Sequence, residues 1–203
     1  VDFSNLAIWF YEKNNCDLLI MDERAGGKSE GKYVTFGLLE KDDIYDWVMW
    51  AHHRQDLPIY LYGTSMGAAT VLMTSSSLNG IVSGIIADSP FMQPYEELRD
   101  FSKRNIHLSE YPFMPSLNFL FKKIVKKDLK SINSFEIIKN TKMPIIIFHG
   151  ELDFFCNVNI SKKIKKLNYS NISVYIYSDS NHCSSYAKHE KEYENIIYHM
   201  INL

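Results

Sequence analysis

Cysteine is scarce in this chain: Cys16, Cys156 and Cys183 are the only three among 203 residues. The number is odd and no pair has CxxC spacing. Neither a disulfide framework nor a zinc site is indicated, and a reduced, cytoplasmic setting is expected. A charge imbalance is missing too. Lys and Arg number 22 and Asp and Glu 24, a formal net charge of −2, which gives no electrostatic reason to expect DNA, RNA or an anionic membrane as a partner. The basic clusters Lys122-Lys123, Lys126-Lys127 and the lysines of 162–166 fall at helical spacing and read as solvated helix faces. No run approaches the roughly 20 apolar residues of a membrane helix. No secretory signal, repeat or low-complexity linker is visible. What is present is an ordinary apolar content, 46%, enough for a single domain with a proper core.

Strand-like and helix-like segments alternate along the chain. Asp2 or Ser4 is expected to cap a first helix whose apolar face is Leu6, Trp9 and Phe10. The short apolar run "CDLLIMD" predicts a strand ending at Asp22, followed by the Gly-rich loop "ERAGGKSEGK". Ile44, Trp47, Val48 and Ala51 fall at i, i+3, i+4, i+7, the face of an amphipathic helix. "IYLYG" predicts the next strand and 66–78 a helix. "GIIADSP", "PIIIFHG" and "VYIY" predict three more strands, and Tyr193, Ile196, Ile197 and Met200 repeat the helical spacing. Buried strands alternating with amphipathic helices imply an α/β domain, a mostly parallel sheet with helices on both faces. Such sheets place ligand sites at the C-terminal ends of their strands. Chemistry is therefore expected in the loops after Asp22, Gly63, Asp88, Gly150 and Tyr177. The stretch 93–142 breaks the alternation. It is long, holds Pro94, Pro112 and Pro115, and reads as a small helical cap inserted over the strand ends.

Gly63-Thr64-Ser65-Met66-Gly67 fits G-x-S-x-G. In that motif a strand turns sharply into a helix with the serine held at a strained dihedral, and side chains two residues to either side are expected to clash. Chance supplies the pentapeptide in roughly one of ~15 chains of this size, so the flanking strand and helix carry the reading of Ser65 as a nucleophile rather than a turn serine. At the N-terminus of its helix, backbone N–H groups can stabilise an oxyanion. A serine hydroxyl is a poor nucleophile until a histidine takes its proton, and that histidine needs a carboxylate to fix its tautomer. Asp153, after "IIIFHGELD", and His182, after "VYIYSDSNH", follow in chain order, each behind its own strand.

Alternatives lie in the same loops. Asp88 also ends a strand and is either a second candidate acid or a brace for its loop. Glu151 stands two residues before Asp153, and Asp179 close to His182 reads as a turn residue. Cys183 beside His182 lacks an elbow and reads as packing. His52-His53 reads as a helix C-terminal cap rather than a metal site, and His149 as a hydrogen-bonded structural histidine. Gly27-Lys28-Ser29 imitates the end of a phosphate loop, but the glycine that pattern requires five residues earlier is Asp22. No nucleotide, cofactor or metal is expected.

These motifs, "DERAGGKSEGKYVTFGLLEKDD", "GTSMGAAT", "ADSPF", "MPIIIFHGELD" and "NHCSSY", resemble the α/β-hydrolase superfamily, in particular bacterial hydrolases of the cytoplasmic esterase or S9-peptidase-like type. The resemblance runs over the whole chain. Departures are Cys156-Asn157, where a Val-Pro pair is common, and Ala25, where Gly is common. The resemblance implies an α/β-hydrolase fold and acyl transfer to water through an acyl-Ser65 intermediate. His182 would serve as base and then acid, Asp153 would orient it, and the Met66 N–H would form half of the oxyanion hole. The cap aromatics Phe91, Tyr95, Phe101, Tyr111, Phe113 and Phe119 point to an apolar acyl or aryl group. A carboxylic ester of a small molecule is the first expectation and a short peptide the second. Members of the superfamily carry several strands and a His-Gly loop, the source of the second oxyanion N–H, ahead of their first helix. Here the chain starts at Val1, at or just before that helix. The expectation is thus a domain lacking its N-terminal strands, either a fragment of a serine hydrolase or a non-catalytic binding module.

Overall fold

The computed structural model describes residues 4–202. Asp2 lies outside the described residues, and Ser4 opens the first helix instead of capping it. Four strands, β1 (Tyr60–Thr64), β2 (Gly84–Asp88), β3 (Ile145–Gly150) and β4 (Ile172–Tyr177), form a parallel sheet in the order β1-β2-β3-β4. Every residue of β2 and β3 is buried. Their sequences are continuous apolar runs rich in isoleucine, as strands covered on both faces require.

The pleat divides these side chains between two helical layers. Ile85, Ala87, Ile145, Ile147, Ile172 and Val174 point to one face. There they meet α2 (Glu40–His52), α3 (Met66–Thr74), α6 (Ser134–Ile138) and α7 (Val158–Leu167). Ile86, Ile146, Phe148 and Tyr177 point to the other. They pack on α1 (Ser4–Ile8), the wide helical turn Trp9–Lys13 and α9 (Glu190–Ile201); α8 (Ser185–Lys188) is a single turn between β4 and α9. The Phe148 and Tyr193 rings stack with centroids 3.7 Å apart. Full burial of each large apolar side chain stabilises the fold by roughly 1.5–3 kcal/mol.

Two sequence expectations change. Residues 16–22 form no strand, and Leu18, Leu19 and Ile20 are exposed. A strand needs a hydrogen-bonding neighbour, and among the described residues none lies on the outer side of β1. Tyr60, Leu61 and Tyr62 of β1 are accordingly only half-buried. On α2 the buried stripe is narrower than its spacing implied: Ile44 and Val48 are buried, whereas Trp47 is exposed.

The stretch 93–142 holds α4 (Pro94–Asn105), α5 (Glu110–Val125) and α6. The α6 side chains Phe135 and Ile138 enter the main core, so this helix belongs to the regular layer. α4 and α5 pack on each other, and their core of Tyr95, Met114, Phe91 and Leu129 includes Cys156 and borders Met66. Through Met66 and Cys156 that cluster borders the loops after β1 and β3. The register Thr64↔Asp88 and Asp88↔Phe148 brings the loops after β1, β2 and β3 to one edge.

Candidate active site

Ser65 occupies the junction of β1 and α3 with φ 52° and ψ −115°. This region is costly for a residue with a side chain, on the order of 1–3 kcal/mol, and persists only where the surroundings impose it. Gly63 is part of the reason: a Cβ there would collide with the backbone of Gly67 and Ala68. The same argument fails at Gly67, where a Cβ would meet nothing within 4 Å among the described residues. The backbone also ties the turn down. Ser65 N–H donates to the Asp88 carbonyl at 2.8 Å, and the Ser65 carbonyl accepts from Ala69 N–H at 3.0 Å. Met66 is the first residue of α3, so its N–H has no intrahelical acceptor.

His182 and Asp153 meet this serine. His182 Nε2 lies 2.9 Å from Ser65 Oγ, and its Nδ1 lies 2.7 Å from Asp153 Oδ2. The distances fit Nδ1–H donating to the carboxylate and Nε2 accepting from the hydroxyl. The other oxygen, Oδ1, accepts from Phe155 N–H at 2.9 Å and Cys156 N–H at 2.8 Å. Asp153 does not cap α7; Asn157 does, accepting from Asn159 N–H at 3.1 Å. Burial opposes the Asp153 charge, but hydrogen bonds from His149, His182 and the Cys156 N–H outweigh it and hold this carboxyl well below the usual range. Burial likewise works against a charged His182, and the hydrogen bond to Asp153 overcomes it and raises the imidazole above its ordinary 6.5.

The alternatives are occupied elsewhere. Glu151 pairs with Lys162, and Asp179 with His189 Nε2 at 2.7 Å. His149 is wholly buried beneath Asp153, with Nδ1 2.9 Å from Ser161 Oγ and Nε2 3.3 Å from both the Cys156 carbonyl and Asp153 Oδ2. His52 ends α2 and His53 caps it. Lys28 N–H and Ser29 Oγ–H both turn back onto Asp22, at 2.9 and 2.6 Å, and no helix follows them before α2. Surface hollows of about 200 Å³ beside Lys41 and Met73 and about 180 Å³ beside Arg24 and Tyr33 lie away from Ser65. Among the described residues no group of three His, Cys, Asp or Glu side chains is arranged to hold a metal ion. No described helix is long and apolar enough to cross a membrane.

Asp88 makes no hydrogen bond to His182. It is almost wholly buried, accepts from Tyr193 O–H at 3.0 Å on Oδ2 and bonds Ser89 Oγ at 3.1 Å through Oδ1. Tyr62 extends the chain, its hydroxyl 3.1 Å from that of Tyr193. Burial pushes the Asp88 carboxyl up to about 6 against the bonds from Tyr193 and Ser89. Ser89 Oγ accepts from Cys183 N–H at 3.0 Å, the residue after His182. Ser89 and Cys183 share with Ser65 a positive φ, 55°, 50° and 52°. Asp88 and Ser89 therefore link the two loops: the Asp88 backbone carbonyl holds the serine turn, and Ser89, bonded to the Asp88 carboxylate, holds the histidine loop. Sequence reasoning placed Asp88 but missed Ser89 and Tyr193. The "ADSPF" motif signalled the first, whereas Tyr193 was hidden in an apolar helical stripe.

A four-stranded parallel sheet between two helical layers, with a serine at a strained strand-to-helix turn and an acid and a histidine behind later strands, is the α/β-hydrolase fold. Solved structures agree. The chain superposes on the Pyrococcus furiosus esterase Pf2001 with a TM-score of 0.75 at 24% identity, covering 98% of this chain and 74% of that one. With a lipase-esterase related protein of Clostridium acetobutylicum the TM-score is 0.64 at 19% identity, over 89% and 82% of the two chains. Among curated proteins it is 25% identical over 184 residues to the uncharacterized protein YqkD of Bacillus subtilis, covering 89% of this chain. The chain spans 60% of the length of that relative. No known family profile matches it.

Proposed function

We propose that the protein is a serine hydrolase that cleaves a carboxylic ester through an acyl-Ser65 intermediate. The observation that carries this reading is the hydrogen-bonded series Ser65–His182–Asp153, with links of 2.9 and 2.7 Å. Ser65 Oγ attacks the ester carbonyl carbon while its proton passes to His182 Nε2. Asp153 holds the imidazole in the receiving tautomer and stabilises the imidazolium. The carbonyl oxygen becomes an oxyanion facing the Met66 N–H at the N-terminal end of α3. Collapse expels the alcohol, which takes the proton from His182. Water then attacks the acyl-enzyme, its proton goes to His182, and the acid leaves with Ser65 restored. The esterase and lipase-esterase related structures that share the fold make an ester the first substrate class to test.

Turnover of p-nitrophenyl butyrate is the direct assay. Ester hydrolysis that falls by about 10³-fold or more in Ser65→Ala and in His182→Ala is expected. A folded wild-type protein with no hydrolysis of esters of any chain length contradicts the reading and leaves a binding module of the same fold.

A further inference from the structure

A buried imidazole beside the triad has no part in the scheme above. Apart from His149, β3 carries only apolar side chains. Its pleat turns Ile145, Ile147 and His149 to the face covered by α7. His149 is wholly buried there. Burying a polar ring costs free energy unless its nitrogens are bonded, and an apolar side chain would continue the layer without that cost.

Both nitrogens of His149 have partners. Nδ1 lies 2.9 Å from the hydroxyl of Ser161 on α7, itself wholly buried. Nε2 faces two groups that only accept, the Cys156 carbonyl and the Asp153 carboxylate at Oδ2, each 3.3 Å away. The proton therefore resides on Nε2 and is shared between them. Oδ2 is the oxygen that also accepts from His182 Nδ1, at 2.7 Å. One carboxylate oxygen thus lies between two imidazoles, one fixed in the sheet opposite Ile176 of β4 and one carried on a loop. That loop rests on the next residue of β3. A Cβ on Gly150 would come within 2.2 Å of the Ser180 carbonyl oxygen and 2.6 Å of that of Asn181. The end of β3 registers the acid through His149 and the histidine loop through Gly150.

We propose that His149 is a positioning residue: held in the sheet, its Nε2–H aims Asp153 Oδ2 at His182 and moderates the charge which that oxygen offers. The proposal rests on the hydrolase reading for its effect on turnover; the clamp on Asp153 does not depend on it. The sign of the pH effect follows. Burial disfavours the Asp153 charge, and the bond from His149 is the first of the influences that restore it. Without that bond the carboxylate is a stronger base toward His182. The imidazolium then persists to higher pH, and the acid limb of kcat/KM rises. Asp88 bears on both rings, Cys156 on His149, and Cys183 and Glu97 on His182; all four stay in place when His149 is replaced.

Two substitutions isolate the donor. His149→Gln keeps an N–H near the place of Nε2, and His149→Met has similar volume and none. His149→Met is expected to lower kcat for p-nitrophenyl butyrate by about tenfold, with KM within about twofold, and to raise the acid limb by about half a unit or more. His149→Gln is expected to stay within about threefold in kcat with the limb near that of wild type. Ser161→Ala unties only Nδ1 and is expected to raise the limb by a smaller step; it is the variant to read where His149→Met does not fold. The His182 ring signals, followed by NMR against pH, should move with the limb. Equal losses of kcat and melting temperature in His149→Gln and His149→Met with the limb unmoved, or a limb that falls, overturn the proposal. Ester hydrolysis with wild-type kcat and limb in His149→Met, or in Ser161→Ala where that is the variant read, overturns the clamp and leaves the hydrolase reading standing. An NMR titration that moves as expected in a protein that hydrolyses no ester overturns the hydrolase reading and leaves the clamp standing.

Discussion

At the scale of single residues, the candidate site is a problem in holding charge. Asp153 spends one oxygen on two backbone N–H groups and the other on His182, so the aspartate cannot rotate away from its histidine. Because Asp153 holds the His182 pKa above 6.5 against burial, the acid limb of kcat/KM should lie above that value. In Asp153→Asn the largest influence opposing burial is lost and only Cys183 still raises the imidazole. The limb should then move down and the rate fall by about 10³–10⁴-fold, measured as a pH–rate profile. Ser89 grips the histidine loop through the Cys183 N–H. Ser89→Ala should lower kcat by about tenfold with KM within about twofold, because the loop that aims His182 loosens while the α4–α5 surface does not. An equal loss in kcat and in melting temperature with a raised KM would mark Ser89 as purely structural. Ser65, Asp153 and His182 were legible in the sequence because each follows its own strand. Ser89 was not, because its role depends on a loop distant in the chain.

At the scale of elements, the serine turn separates two glycines that a motif treats alike. Only Gly63 is crowded, by the backbone of the following helix. Gly63→Ala should cost about 2–3 kcal/mol or more in denaturant unfolding, since backbone cannot move aside as a side chain can. Gly67→Ala, in the first turn of α3, should be neutral or stabilising by up to about 1 kcal/mol. Strands and helices were readable where burial imposed a continuous apolar run, as in β2 and β3, or a helical period, as in α9. The expected strand at 16–22 shows the limit. Its apolar run is real, yet a strand forms only against a partner, and local sequence carries no information about whether one is there. The 93–142 stretch was readable as helical, but not that α6 would join the main layer while α4 and α5 form a cluster of their own.

At the scale of the whole molecule, the buried Asp88 makes stability depend on pH. Its folded pKa, about 6, exceeds the ordinary 3.8. The folded state therefore binds the proton more tightly, and stability falls as pH rises from about 4 to 6, by on the order of 3 kcal/mol. Asp88→Asn should flatten that slope in unfolding measured across the same range. Asp153 acts with the opposite sign: its contribution is present above 3.8 and is lost as pH falls toward its depressed value. The fold thus tolerates one destabilised carboxylate beneath the site while gaining from another within it. Whether Ser65 is the nucleophile is decided by reaction with a fluorophosphonate, followed by peptide mass mapping of the adduct. A single stoichiometric adduct is expected on the peptide containing Ser65, absent in Ser65→Ala and slowed in His182→Ala. A folded protein that stays unmodified, or an adduct on another residue, would contradict that role.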